Sequence, residues 1–218
     1  MKIRLVHILN NVNGEREIKS IENLSKLSNY NVEYIQQVTP LYKGKFPKSM
    51  CGLPHGEGHY GLFQSFKKAL QENFTEDLDA LILCECDCVL DIDYDDFIPE
   101  IKKTLEYCLK HDIYQFSWGG NILYNGAVQG QTFIYDDDYM DYFICNKIIM
   151  THFTILTKSS REFFLRKLNE LSWDTVDIWL NLAISSEFGT PGKQATVKKR
   201  LAYQTEGISL LDNFTKKQ

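Results

Sequence analysis

The sequence has no apolar run of about 18 residues, so no segment of it is expected to cross a membrane. It has no basic excess: 24 Lys and Arg stand against 29 Asp and Glu, a net charge of −5. A surface built to grip nucleic acid normally shows a basic face, and this balance argues against one. Its six cysteines include no CxxC spacing. That reads against a disulfide framework and for reduced thiols in a cytoplasmic protein. It lacks GxxxxGK(S/T), and lacks a GxGxxG that opens a helix after a strand, so ATP-type and dinucleotide fingerprints are missing. The opening MKIRLVHIL turns polar without a small-residue cleavage site, and reads as a first strand rather than a secretory signal.

What is present fits one folded domain over residues 1–218, with 44% hydrophobic and 24% charged residues. IRLVHIL (3–9) is a branched apolar run, expected as a buried strand. Ile18, Ile21, Leu24 and Leu27 recur at helical spacing over 16–28, and NVEYIQQV (31–38) alternates as a second strand. This strand–helix–strand start predicts an α/β domain with a mostly parallel central sheet flanked by helices. Residues 39–61 read as a loop, 62–74 as an amphipathic helix, and 78–85 as a central strand. Further helices are expected over 93–111, 158–171 (with Ser159 or Ser160 as cap) and 173–184, and further strands over 112–123, 147–157 and 197–205.

The stretch ALILCECDCVLDID (80–93) carries the chemistry. On an extended strand, Glu85 and Asp87 point to one face and Cys84, Cys86 and Cys88 to the other. Thiols two residues apart suit one tetrahedral zinc poorly, and small apolar filling is their plain role. Two carboxylates at the C-terminal edge of a central strand sit where open α/β sheets bind ligands. Hard oxygen ligands there suit Mn²⁺ or Mg²⁺, which can hold a diphosphate. A solvated strand end is the competing interpretation.

The segment GHYGLFQSFKKALQENFTEDLDALILCECDCVL (58–90) resembles the DxD-containing region of GT-A glycosyltransferases of the lipopolysaccharide type. RLAYQTEGISLLDN (200–213) resembles the same group's terminal strand and Gln-x-x-Gly-x-Ser segment, and VHILNNVNGEREIKSIENLSKL its first strand and helix. The tripeptide here is Glu85-Cys86-Asp87, with Glu in place of the usual first Asp. The resemblance implies a single GT-A domain, with residues 1–92 binding the nucleotide sugar and 93–218 the acceptor. Asp87 would then bind the metal, and Glu85 the ribose or the metal through water. Asn11 and Arg16 would meet the nucleotide. His152 would join the metal shell, or else be a packed strand histidine.

Asp174 and Asp177 lie three apart at the start of a predicted helix, on nearly one face. Compensation of the helix dipole accounts for Asp174. The resemblance makes an acidic residue early in this helix the base that takes the acceptor proton, and Asp177 fills that place better. Trp118 is either a sugar platform or core. His55 and His59 would pair on a metal only in a helix, which Gly56 and Gly58 disfavour. Asp136–Asp138 reads as a solvated turn. The expected function is metal-dependent transfer of a sugar from a nucleoside-diphosphate sugar, UDP-sugar by default, to a saccharide acceptor, without nucleic acid or membrane span. The alternatives are a non-catalytic sugar- or nucleotide-binding module of the same fold, and a metal-dependent phosphoryl-transfer enzyme or nuclease.

Overall fold

The computed structural model describes residues 1–10, 14–39, 46–52, 56–119, 121–122, 135–136, 142–144, 148–149, 152–189, 193–197 and 201–204. The branched apolar opening forms β1 (Ile3–Leu9). It is flanked by parallel β2 (Val32–Val38) and parallel β3 (Ala80–Glu85). Between β1 and β2 runs α1 (Glu15–Leu24), continued by a 3₁₀ turn over Ser25–Tyr30. Asn31 closes that turn at φ 61°, a left-handed conformation that asparagine tolerates.

α2 (Glu57–Lys68) precedes β3 and continues as one π turn over Ala69–Asn73. β4 (Cys88–Leu90) leads into α3 (Tyr94–His111). The rest of the described chain comprises β5 (Gln115–Ser117), β6 (Asn121–Ile122), β7 (Tyr135–Asp136), β8 (Tyr142–Ile144), β9 (Ile148–Ile149) and β10 (Phe153–Thr157), then α4 (Arg161–Glu170), α5 (Val176–Phe188), β11 (Gln194–Val197) and β12 (Ala202–Gln204). The main sheet is ordered β2-β1-β3-β10-β5-β11-β8-β7. β10 and β8 run against the other strands, so the sheet is mostly parallel in direction. Two short pairs, β12 with β4 and β6 with β9, stand apart from it.

The period-2 alternation of each strand supplies both faces of the sheet. Ile3 and Leu5 of β1 join Ile82 and Cys84 of β3 against α1 and α3. Val6, Ile8, Leu81 and Leu83 point the other way, into Phe63 and Phe66 of α2, Phe164 of α4, and Trp179 and Leu180 of α5. Helices thus cover both faces. No helix among the described residues is long and apolar enough to cross a membrane.

Several boundaries differ from the sequence expectation. α2 starts at Glu57, inside the expected loop, and takes in Gly58 and His59. A glycine costs a helix about 1 kcal/mol, but Tyr60 stacks on Phe46 at 5.3 Å and meets the edge of Trp173 at 4.9 Å, which anchors the first turn. α5 starts at Val176 because Asp174 turns inward. Ser160 does not cap α4 through its side chain; its Oγ donates to the Thr157 carbonyl. The expected strand 197–205 meets two strands, the end of β11 in the main sheet and β12 in the pair with β4. Trp118 is core: it is fully buried, stacks on Phe153 at 5.1 Å and donates through Nε1 to Thr104 Oγ1.

Candidate active site

β3 ends at Glu85, and Cys86 and Asp87 form a turn before β4 begins. The expected arrangement along one extended strand is therefore corrected: a turn, not strand alternation, presents Glu85 and Asp87 together. Cys84 and Cys88 are buried in the core, as small fillers. Burial pushes the Cys84 and Cys86 thiols upward, so both keep their protons at neutral pH.

A buried polar chain fixes this turn. Ser20 Oγ donates to the Cys88 carbonyl and lies 3.0 Å from His7 Nε2. Since the Ser20 proton goes to the carbonyl, His7 must donate from Nε2. His7 Nδ1 then accepts from Tyr34 Oη at 2.8 Å. The tautomer follows from the neighbours. Asn10 Nδ2 donates to Cys86 Sγ at 2.7 Å, and Glu17 Oε1 accepts from the Asn10 backbone N–H at 2.6 Å.

His152 reaches the same place because β10 is antiparallel to β3. The N-terminal end of one strand meets the C-terminal end of the other, with Phe153 opposite Cys84. The Glu85 backbone N–H donates to the His152 carbonyl at 3.2 Å, and His152 Nδ1 lies 3.6 Å from Glu85 Oε2. Glu85, Asp87 and His152 each bring one ligand atom to within 4.8 Å of the others. Asp87 Oδ1 and His152 Nδ1 are buried without a hydrogen-bond partner. Buried polar atoms are normally satisfied, so two orphans on residues that cluster this closely fit a group not made of protein. Burial, then the neighbouring Glu85 charge, pushes the Asp87 carboxyl up; Arg16, His152 and Gln204 pull it the other way. A divalent cation would relieve the crowding of the two carboxylates.

Arg16, in the first turn of α1, places Nη2 2.5 Å from Asp87 Oδ2. Asn11 lies outside the described residues, as do His55 and Asp137–Asp138. Gln204, which the site expectation lacked, comes beside Asp87 because β12 pairs with β4 and sets Gln204 opposite Cys88. Its signal was the Gln in the terminal segment. Gly119 permits that return: a Cβ there would sit 2.8 Å from the Ala202 carbonyl oxygen.

The two aspartates ahead of α5 diverge. Asp174 is fully buried. Its Oδ2 accepts from the Cys51 backbone N–H at 2.8 Å, and its Oδ1 from the Thr175 N–H at 2.8 Å and the Cys51 thiol at 3.3 Å. It clasps the 46–52 segment to the start of α5. Asp177 is half-buried, and its Oδ1 accepts from Thr175 Oγ1 at 2.7 Å and the Ile178 N–H at 2.9 Å. A small apolar recess beside Glu85 is lined by Leu62, Phe66, Leu83, Leu180 and Val176, the residue before Asp177.

Neither a family model nor a curated protein matches the sequence. Among solved structures, the chain is similar to a glycosyltransferase involved in the glycosylation of the major capsid of PBCV-1. The identity is 11%, each chain is covered over 99% of its length, and the TM-score is 0.51. It is similar at lower TM-score, 0.45 with 10% identity, to a 4-diphosphocytidyl-2C-methyl-D-erythritol synthase from Anaerococcus prevotii, covering 98% of this chain and 93% of that one. The fold is of the GT-A type. In this GT-A sheet, the C-terminal edge of β1 and β3 carries Asn10, Glu85 and the Asp87 turn.

Proposed function

We propose that this chain is a metal-dependent glycosyltransferase. It would move a hexose-type sugar from a nucleoside-diphosphate sugar, UDP-sugar by preference, to a saccharide acceptor. The observation that carries the reading is the convergence of Glu85, Asp87 and His152 at the sheet edge, where Asp87 and His152 each keep a buried polar atom without a hydrogen-bond partner. The motif order resembles that of the lipopolysaccharide-type enzymes, with Glu85-Cys86-Asp87 as an ExD variant.

Asp87, His152 and Glu85 would hold the ion. A nitrogen ligand in the set favours Mn²⁺ over Mg²⁺, which demands oxygen. Bound there, the ion would offset the charge of the diphosphate as the sugar–phosphate bond breaks. Asp177 would accept the proton of the acceptor hydroxyl. Thr175 Oγ1 and the Ile178 N–H hold its Oδ1 and so orient the carboxylate. Asp174 is already engaged with the Cys51 segment, so the base role falls to Asp177.

Calorimetry with UDP and Mn²⁺ tests the site. Binding should collapse when the metal is chelated, and Asp177→Ala should abolish transfer while leaving UDP binding intact. UDP binding that ignores the chelator would refute the metal site; equal loss of UDP affinity in Asp177→Ala would remove its role as base.

A further inference from the structure

Asp87 already has a cation. Arg16 Nη2 sits 2.5 Å from its Oδ2, while Oδ1 is buried without a hydrogen-bond partner. The same carboxylate is a ligand in the proposed metal site, and the role of Arg16 rests on that reading. A guanidinium and a divalent ion repel each other, so they cannot both crowd one buried carboxylate cheaply.

The two ends of Arg16 differ in freedom. Its backbone belongs to α1, which is tied down by Glu17 accepting from the Asn10 N–H and by Ser20 donating to the Cys88 carbonyl. Its side chain is 21% exposed and carries a flexible stem, so it has solvent to move into. The Asp87 side chain is 9% exposed and sits on a tight turn, so it has none. Of the pair, Arg16 is the partner that can leave. A guanidinium fork matches phosphate oxygens as well as carboxylate, which gives the departing group a natural destination on a diphosphate.

We propose that Arg16 is an exchangeable internal counter-ion: it holds Asp87 in the ligand-free protein and passes to the nucleotide's phosphates when a divalent metal takes that carboxylate. Metal and nucleotide then bind as a coupled pair, because each supplies what the other's arrival displaces. Metal alone must evict Arg16 with nothing to receive it. Nucleotide alone must draw Arg16 away and leave Asp87 buried without a cation, which is costly.

Calorimetric titration of the full chain with Mn²⁺ alone, UDP alone, and UDP at saturating Mn²⁺ measures this coupling. Arg16→Gln should tighten Mn²⁺ binding in the absence of nucleotide about fivefold, the upper end of what an exposed ion pair contributes and a floor for this more buried one. The same variant should weaken UDP binding in the presence of Mn²⁺, so that the coupling between the two ligands shrinks. Lys19→Gln removes one charge a turn further along α1, where Lys19 pairs with Glu15 and not with Asp87. It should change neither affinity by more than about twofold, as expected of a screened surface charge. Arg16→Lys, which keeps the charge but loses the fork, carries the same test at smaller amplitude if the glutamine variant is unstable. Mn²⁺ affinity that is unchanged or weaker in Arg16→Gln overturns the exchange, and so does an equal gain in Lys19→Gln. Wild-type protein that binds no Mn²⁺ even with UDP overturns the metal reading itself, a distinct result.

Discussion

His7 gives the fold a specific acid weakness. Its ring is fully buried beneath the turn that presents Glu85 and Asp87, and burial lowers its pKa from 6.5 to about 4, against hydrogen bonding at the Glu85 and Cys86 backbone. The folded protein therefore holds His7 neutral, while the unfolded chain takes up the proton first. Its stabilising contribution is complete above about pH 6.5 and is lost as pH falls from there to about 4. A depression from 6.5 to about 4 corresponds to about 3 kcal/mol at 1.36 kcal/mol per unit. Urea unfolding at pH 7.0 and pH 4.5, on wild type and His7→Gln, isolates this contribution, because the other titrating groups are common to both proteins. Glutamine cannot gain a proton, so His7→Gln should be the less stable protein at pH 7.0, where it loses packing, yet lose about 2–3 kcal/mol less than wild type on acidification. Equal losses in the two proteins would refute the assignment of a neutral, doubly hydrogen-bonded His7.

Asp174→Ala should destabilise by about 2–4 kcal/mol, since it strands the Cys51 and Thr175 N–H groups; in a chain of this size the melting temperature should fall by roughly 5–15 °C. Asp174→Asn, whose amide oxygen still accepts, should lose less and keep turnover, and lost turnover with unchanged melting would assign Asp174 to the chemistry. Asp87→Asn should leave the melting temperature of metal-free protein nearly unchanged, because the cost of burying the carboxylate beside Glu85 offsets its attraction to Arg16; a clear fall would show that the Arg16 pair outweighs that cost. Gly119→Ala should destabilise by about 1–3 kcal/mol by forcing its Cβ against the Ala202 carbonyl, measurable by chemical denaturation.

The first half of the fold was legible because its signals are local. Ile3–Leu9 and Ala80–Glu85 are apolar runs that admit little except a buried strand, and both are interior strands of the sheet. Glu85 and Asp87 were legible as a pair, but for the wrong geometric reason: alternation was expected, and a turn brings them together instead. A turn of Cys-Asp carries no Gly or Pro to announce it. The start of α2 was hidden because Gly58 speaks against a helix locally, while Tyr60 packing on Phe46 and Trp173 is a tertiary effect. His152 could be proposed from the resemblance, yet its meeting with Glu85 depends on β10 running backwards beside β3, which no periodicity reveals. Asp174 and Asp177 look alike in sequence; the Cys51 N–H, contributed from 123 residues away, separates them.

Donor hydrolysis tests the central claim most directly, because it needs no knowledge of the acceptor. Wild type and Asp87→Asn would be incubated with a panel of nucleotide sugars and Mn²⁺, and release of nucleoside diphosphate followed. Wild type should release UDP from at least one UDP-sugar only when Mn²⁺ is present, and Asp87→Asn should release nearly none. Release that persists in Asp87→Asn, or that is indifferent to Mn²⁺, would contradict a metal-dependent transferase built on Glu85, Asp87 and His152.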